Sequence, residues 1–154
     1  MATDDQVAVE AAARAIVDDN LYLVLGTADE AGHPWVSPVY FAPVSYTELV
    51  WVSRPGAQYS RNLAVRPEVS LVIFDSTVPI NTGQAVYGVG HAEEVPSDAV
   101  APLLDVFSRR TEQHGDSQFP ADLVGPSGHL RLYRAVATQL WALDPNDQRI
   151  PITL

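Results

Sequence analysis

The sequence predicts a mainly β domain of the α+β class, in which an antiparallel sheet closes fully or partly into a barrel with a few peripheral helices. About six or seven segments have the length and the apolar or alternating pattern of strands. Most of them are joined by turns of hairpin length, which favours a barrel over a doubly wound parallel sheet. Because no repeat, linker or low-complexity tract interrupts the chain, residues 1–154 are expected to form a single domain.

The composition narrows the chemistry that the chain can support. The formal net charge is −10, and all nine cationic residues are arginines. The absence of lysine excludes a lysine Schiff base, and the acidic balance argues against nucleic acid as a main partner. The absence of cysteine excludes disulfides, thiolate nucleophiles and cysteine-ligated metals. Without an apolar run of membrane-spanning length or a signal-like amino terminus, a cytoplasmic protein with no membrane partner is expected.

The first helix should begin after Thr3, because its hydroxyl can cap a helix and two aspartates follow it; the helix should end near residue 19. A buried strand is predicted at residues 21–27, followed by a hairpin turn that contains Gly32. The next long strand is predicted over residues 34–44. Pro38 cannot donate a ladder hydrogen bond, so this strand is expected at a sheet edge or with a bulge.

The following segment passes from a strand into a short helix and back into a strand. Residues 49–52 form the first strand, and a turn follows at Pro55. The helix is predicted over Gln58–Val65, because Pro67 disfavours helical geometry in the residue before it. The second strand is predicted at residues 69–74.

Polar residues gather where the first of these strands passes into the helix: Ser53, Arg54, Gln58, Tyr59, Ser60, Arg61 and Asn62. Backbone N–H groups at a helix start, with hydroxyls and a guanidinium beside them, suit an anion such as a phosphate. The same residues could instead serve only to cap the helix and to solvate the turn. This segment alone leaves both interpretations open.

The second half of the chain begins with a predicted strand at residues 84–95 that contains Gly88 and Gly90. Glycine inside a strand indicates a bulge, a bend or a close approach of another backbone. The remaining predicted elements are a helix at residues 96–110, a polar segment at 111–127 with a short helix near 121–124, and strands at 128–143 and 148–154.

Familiar catalytic and metal-binding patterns are missing from the sequence. No metal-ligand spacing relates the four histidines, which are His33, His91, His114 and His129. No serine stands in a Gly-x-Ser-x-Gly motif. The Gly88-Val89-Gly90 triplet lies inside a strand, whereas a dinucleotide-binding turn lies between a strand and a helix.

Three blocks of the sequence occur in a characteristic order: LVLGTADEAGHPWVSPVYF, WVSRPGAQYSRNLAVRPEVSLVIFD and GQAVYGVGHAEEV. Together they resemble the pyridoxamine-5′-phosphate-oxidase-like family of flavin-binding split barrels, closely over residues 21–95 and loosely elsewhere. The resemblance implies an antiparallel split barrel that forms a homodimer, binds flavin mononucleotide (FMN) at the subunit interface and acts on a small molecule. A dimer is also favoured by large aromatic residues on predicted strand surfaces, namely Trp35, Tyr40, Trp51 and Trp141.

The resemblance also implies which residues bind the cofactor. The family residues that run along the flavin match Ser37, Pro38, Val39 and Tyr40 of this chain. Those that hold the ribityl chain and the phosphate match Val52, Ser53, Gln58 and Tyr59, with Ser60, Arg61 and Asn62 beside them. Gln84 matches a glutamine that contacts the ring system, and Trp141 matches an aromatic residue supplied by the other subunit.

Several positions depart from the family members that oxidise pyridoxamine phosphate. Their basic residues are replaced here by Ser37, Ala42, Gln58 and Tyr59, and a substrate-binding arginine is replaced by Asp147. Arg61 could take over the cofactor phosphate, and Arg149 could serve near the carboxyl-terminal site. The resemblance therefore predicts a flavin-dependent oxidoreductase of unidentified substrate. The alternatives are a deazaflavin-dependent reductase and a non-catalytic flavin-binding or sensing protein.

Overall fold

The structure is a computed structural model that describes residues 3–115 and 119–154. Within these ranges the helices are α1 (Asp4–Asp19), α2 (Gln58–Val65) and α3 (Val100–Gln113), with 3₁₀ turns at Ser97–Ala99 and Ala121–Leu123. The strands are β1 (Tyr22–Ala28), β2 (Pro34–Tyr40), β3 (Ala42–Pro43), β4 (Glu48–Ser53), β5 (Glu68–Phe74), β6 (Ala85–Glu94), β7 (Arg131–Leu143) and β8 (Arg149–Ile152). Part of the predicted polar segment, residues 116–118, lies outside the described residues.

All eight strands belong to one sheet with the order β2-β1-β5-β6-β7-β4-β3, and β8 pairs with β7. The named strands pair in antiparallel fashion. Although β2 and β4 are far apart in this order, they come into contact, because the sheet curls into a half-barrel. The fold is therefore the predicted antiparallel split barrel with peripheral helices.

The single strand predicted over residues 34–44 is divided in the structure into β2 and β3. The strand β2 ends at Tyr40, and the Phe41 N–H donates to the Leu21 carbonyl at 3.2 Å. This bond continues the β1–β2 register one residue beyond Tyr40, and the chain then passes into β3, which pairs with β4 instead of β1. Pro38 lies in β2, the first strand in the sheet order, and the expected edge position is confirmed.

The boundaries of the other elements follow local hydrogen bonding. Thr3 caps α1 by accepting a hydrogen bond from the Gln6 N–H at 3.2 Å, and the Asn20 side chain donates to the Ile16 carbonyl at 2.8 Å where the helix ends. The strand β7 begins three residues later than predicted, because Gly128 and Leu130 donate to carbonyls of the preceding loop. Among the described helices, none has the length and hydropathy needed to cross a membrane.

The main hydrophobic core lies on the inner face of the curled sheet, beneath α1 and α2, and a second cluster lies beneath α3. Trp51 belongs to the main core: its side chain is fully buried and stacks on Tyr133 with ring centroids 6.1 Å apart. The expectation that Trp51 lies on a strand surface is therefore wrong. Trp51 is buried because both faces of β4 are covered. One face, with Trp51, points into the main core, and the residues that alternate with Trp51 pack against α3.

Candidate functional site

The amino end of α2 is the centre of the candidate site. Ala57 precedes the helix and offers no side-chain acceptor, so within the described chain no side chain caps the first-turn N–H groups. The Arg61 guanidinium folds back over this end: Nη1 donates to the Gly56 carbonyl and Nη2 to Gln58 Oε1, both at 2.7 Å. A positive charge and free N–H groups therefore lie together where the helix dipole is positive.

A pair of hydroxyl groups lies beside this helix start. Ser53 is the last residue of β4, and its Oγ is 2.6 Å from the Tyr59 hydroxyl. Ser53 is buried and Tyr59 is half-buried, so the pair forms a wall of the site rather than a solvated turn. The structure thus brings together three of the predicted phosphate-binding residues, Ser53, Gln58 and Tyr59.

A chain of hydrogen bonds fixes α2 to the edge of the sheet. Gln58 Nε2 donates to Asn62 Oδ1 at 2.9 Å, and Asn62 Nδ2 donates to Thr27 Oγ1 at 3.0 Å. The Thr27 hydroxyl in turn donates to the Trp35 carbonyl of β2 at 3.5 Å. Because Asn62 is only 2% exposed and its amide is engaged on both sides, it positions the helix against β1 and β2.

Ser60 faces the opposite side of α2 from this network. It is 4% exposed and lines a pocket of about 610 Å³ together with Tyr133 of β7. Burial raises the pKa of the Tyr133 phenol, and the neighbouring Ser60 hydroxyl partly offsets this rise. The predicted polar cluster is therefore divided between two sides of the helix.

The residues predicted to run along the cofactor alternate between the two faces of β2. Ser37 lies opposite Leu25 on the inner face, and Val39 on the same face belongs to the core. Pro38 and Tyr40 lie on the outer face, opposite Val24 and Tyr22 of β1. The Tyr40 ring packs edge-on against Phe107 of α3, with centroids 5.5 Å apart. Val52 of β4 also packs beneath α3 rather than towards α2.

Gln84 and Trp141 lie far from α2 within one chain. Gln84 directly precedes β6 and lines a polar pocket of about 470 Å³ with Asp144 and Asp147. Trp141 lies opposite Tyr87 on the outer face. The register continues from Tyr87 through β5 and β1 to Pro38. Four strand spacings of about 4.8 Å therefore separate Trp141 from Pro38 by about 19 Å.

A shallow apolar pocket of about 550 Å³ crosses the outer face of the sheet. Its walls are four valines and three larger side chains: Val24, Val36, Val72, Val89, Tyr87, Trp141 and Arg149. The Arg149 guanidinium lies 5.1 Å from the centroid of the Tyr87 ring, a cation–π contact that holds it over this pocket.

Sequence reasoning missed Thr27, Tyr87 and Tyr133. A polar residue at the end of a buried strand was the available signal for Thr27. No signal was available for the two tyrosines, because their roles depend on which distant strands pair with β6 and β7. Among residues 3–115 and 119–154, no group of three or more His, Asp or Glu side chains could hold a metal ion.

A family model described as pyridoxamine 5′-phosphate oxidase matches residues 9–139 of the chain. Because this match spans most of the sequence, the chain belongs to the pyridoxamine 5′-phosphate oxidase family. No curated protein matches the sequence.

The fold is similar to those of solved proteins that are described as binding different groups, heme in two cases and FAD in another. The heme storage protein HutZ from Vibrio cholerae has a TM-score of 0.69 and 20% identity, covering 91% of this chain and 99% of its own. A heme binding protein from Mycobacterium smegmatis has a TM-score of 0.69 and 18% identity, covering 99% of this chain and 59% of its own. A FAD-binding protein from Mesorhizobium loti has a TM-score of 0.62 and 20% identity, covering 86% of this chain and 91% of its own. At these identities the similarity establishes the fold alone.

Proposed function

We propose that the protein is a flavin-dependent oxidoreductase that binds FMN and acts on a small molecule. FMN, when bound, supplies the electron-transfer chemistry, and the protein binds it, orients it and limits the access of water. The observation that carries the proposal is the amino end of α2, where Arg61 folds over helix N–H groups that no described side chain caps.

The residues at this helix start fit the phosphate and ribityl chain of FMN. A guanidinium has five N–H donors, and Arg61 directs Nη1 and Nη2 to neighbouring oxygens, which orients the group while leaving other donors available. These donors and the first-turn N–H groups suit a phosphate. The Ser53–Tyr59 pair adds hydroxyl groups whose protons can reorient towards ribityl oxygens.

The proposed assembly is a homodimer formed through the outer face of the sheet. Val36 is 67% exposed on this face, and Tyr22, Phe74 and Val89 are exposed as well. Such a continuous apolar face is typical of a protein–protein interface. Trp141 lies about 19 Å from Pro38 along its own sheet, so in the proposed dimer the aromatic residue that contacts a flavin beside Pro38 is the Trp141 of the second copy.

The substitution Arg61→Ala tests the cofactor site. Loss of a charge-assisted hydrogen bond costs about 1.5–3 kcal/mol, which corresponds to an affinity for FMN that is roughly ten- to a hundredfold weaker. Titration of the apoprotein with FMN, followed by quenching of flavin fluorescence, measures this change. Arg109→Ala is the matched control, because Arg109 is an exposed arginine on α3 that pairs with Asp105. Equal FMN affinity of the two variants would place the phosphate elsewhere.

The substrate is proposed to differ from pyridoxamine phosphate. Ala42 and Asp147 stand where cationic contacts to a substrate phosphate are expected in this family. Without such partners a substrate phosphate gains little charge-assisted binding. We expect negligible oxidation of pyridoxamine or pyridoxine phosphate by the flavin-loaded protein, and turnover comparable with that of a dedicated oxidase contradicts this assignment.

Two alternative functions would use the same cofactor site. A deazaflavin-dependent reductase would release a deazaflavin rather than FMN on heat denaturation, and the mass of the released cofactor distinguishes them. A flavin-binding sensor would hold FMN without turning over reductants and acceptors. An assay of the flavin-loaded protein with a panel of reductants and acceptors distinguishes a sensor, which shows no turnover, from an enzyme.

A second candidate function is heme binding, which the position of His91 favours. His91 lines an open pocket of about 550 Å³ on the outer face, together with Trp35, Val36 and Val89. An imidazole is a common axial ligand of heme iron, and the aromatic and valine side chains of this pocket provide contact surface for the porphyrin, although Glu68 lies opposite His91 at its edge. Titration with hemin should then shift the Soret band of the wild-type protein. The variant His91→Ala should lose this shift, and His33→Ala, which changes a residue of the exposed hairpin, should keep it. Absence of any shift in the wild type contradicts heme binding, and a shift that persists in His91→Ala contradicts ligation by His91.

A further inference from the structure

A second pocket lies on the side of α2 that faces away from the proposed cofactor site. It has a volume of about 610 Å³ and opens between the helix and the ends of β6 and β7. Its apolar walls are formed by Pro55, Leu63, Ala64, Pro67 and Ala92. These side chains provide contact surface for a short hydrocarbon or aromatic group.

Four oxygen-bearing side chains from three elements line this pocket: Ser60 of α2, Glu93 and Glu94 of β6, and Tyr133 of β7. Glu94 and Tyr133 are directly opposite each other in the β6–β7 register, so they share one face of the sheet. Ser60 and Tyr133 are 4% and 3% exposed. The Ser60 hydroxyl lies close enough to the Tyr133 phenol to offset part of the rise that burial causes in its pKa. Within the described chain, however, no group meets hydrogen-bond geometry with Ser60 Oγ, although a buried hydroxyl normally has such a partner.

The charges around the pocket leave Glu94 as its most available acceptor. Glu93 accepts hydrogen bonds from Arg134 Nε at 2.8 Å and Nη2 at 2.6 Å, so its charge is compensated. The ion pair of Glu94 is longer, 3.9 Å to Arg131 Nε. Arg61, also at the pocket rim, directs both terminal nitrogens towards Gly56 and Gln58.

Tyr133 contributes an uncharged hydroxyl to the pocket. Burial and the negative charge of Glu94 both raise the pKa of this phenol, with burial the larger cause. The phenol is therefore neutral at physiological pH, and its oxygen can accept a hydrogen bond beside the Glu94 carboxylate.

We propose that this pocket is a binding site for a small organic cation, a primary ammonium group on a short apolar body. A primary ammonium has three N–H donors and no acceptor, and Ser60, Glu94 and Tyr133 supply three oxygens for them. The apolar body lies against Leu63, Ala64 and Ala92. The pocket has Arg61 at its rim in common with the proposed cofactor site, but Ser60, Glu94 and Tyr133 lie away from the Ser53–Tyr59 pair, and the binding of a cation does not depend on the proposed flavin chemistry.

Benzylamine is a suitable probe, because it carries a primary ammonium on an aromatic ring. We expect its titration into the ¹⁵N-labelled full-length protein to shift the amide resonances of Ser60, Ala92 and Tyr133. Benzyl alcohol and benzoate, which have the same ring, should bind about tenfold more weakly or not at all. The flavin content of the same sample is read separately, so a flavin-free sample counts against the proposed function and not against this site.

Glu94→Gln keeps the shape of the side chain and removes its charge. It should weaken benzylamine binding about tenfold, since it removes the charged acceptor of the ammonium group. Glu112→Gln, on the exposed surface of α3, is the matched control and should bind benzylamine as the wild type does. Equal binding of the three probes, tighter binding of benzoate, shifts confined to other residues, or unchanged binding by Glu94→Gln would each overturn the proposal.

Discussion

Gly90 is the position at which one added methyl group should damage the fold most clearly. The β6–β7 register shifts between Val89 and Gly90, and a Cβ at Gly90 would overlap the Val136 carbonyl oxygen and lie 2.8 Å from Ala137 Cα. These are backbone atoms of the longest strand, which cannot move without breaking its pairing. Overpacking against rigid neighbours costs about 1–3 kcal/mol and occasionally more, and we expect Gly90→Ala to lie at or above the upper end.

Gly88→Ala, two residues earlier on the same strand, provides a matched control. Its Cβ would lie 3.1 Å from Leu140 Cδ2 and 3.2 Å from both Leu71 Cδ1 and Leu71 Cγ, which are side-chain atoms and not backbone atoms. The reduced entropy of the unfolded chain contributes about 0.4–1 kcal/mol in favour of alanine and offsets this crowding, so the net change should stay within about 1 kcal/mol.

Urea unfolding followed by tryptophan fluorescence measures both changes, with all proteins at one concentration because association adds to apparent stability. We expect Gly90→Ala to lower the free energy of unfolding by at least about 2 kcal/mol more than Gly88→Ala does. Equal stabilities of the two variants would refute the reasoning, since they would show that β7 can move away from β6 at the bulge.

Two further predictions concern the anchors around the candidate site. Asn62→Ala should lower the free energy of unfolding by about 1–3 kcal/mol in urea titrations, because it leaves the buried Thr27 hydroxyl without its donor; unchanged stability would contradict the anchoring role. The Asp29 carboxylate accepts hydrogen bonds from the backbone and side chain of His33, which lower its pKa. A group whose folded-state pKa is lowered contributes its full stabilisation above the unfolded pKa of about 3.9 and loses it as the pH falls through the folded-state pKa. Asp29→Asn should therefore lower the urea midpoint more at about pH 7 than at a pH well below about 3.9. A deficit of equal size at both pH values would contradict it.

Much of the fold followed from local patterns in the sequence. The prediction of Gln58–Val65 as a helix is confirmed to the residue, because Pro67 and the turn at Pro55 limit it on both sides. The glycine pattern in the β6 strand correctly indicated a bulge, which lies at Gly90. These features are set by backbone chemistry that a short stretch of sequence already contains.

Features that depend on distant contacts were not predictable. The sequence pattern around Trp51 is that of a half-exposed strand. In the structure α3 covers one face of β4, and Trp51 on the opposite face lies in the main core. The break at Phe41 occurs because residues 42–43 pair with β4 instead of continuing along β1. Both depend on tertiary partners, which local propensity does not specify.

The candidate site shows the same division. The polar residues around α2 were identified from the sequence, but not the sides of the helix to which they point. Ser60 and Asn62 are two residues apart and both buried, yet one faces Tyr133 and the other faces Thr27. Their orientations follow from how α2 docks on the curled sheet, which the helical period alone leaves undetermined.

Native mass spectrometry of the purified protein tests the central claim most directly, because one spectrum reports both the assembly and the bound cofactor. The proposed flavoprotein predicts a principal species with the mass of two chains and two FMN molecules, and loss of FMN on denaturation. A monomer, or a dimer that remains free of flavin after incubation with excess FMN, would contradict the account.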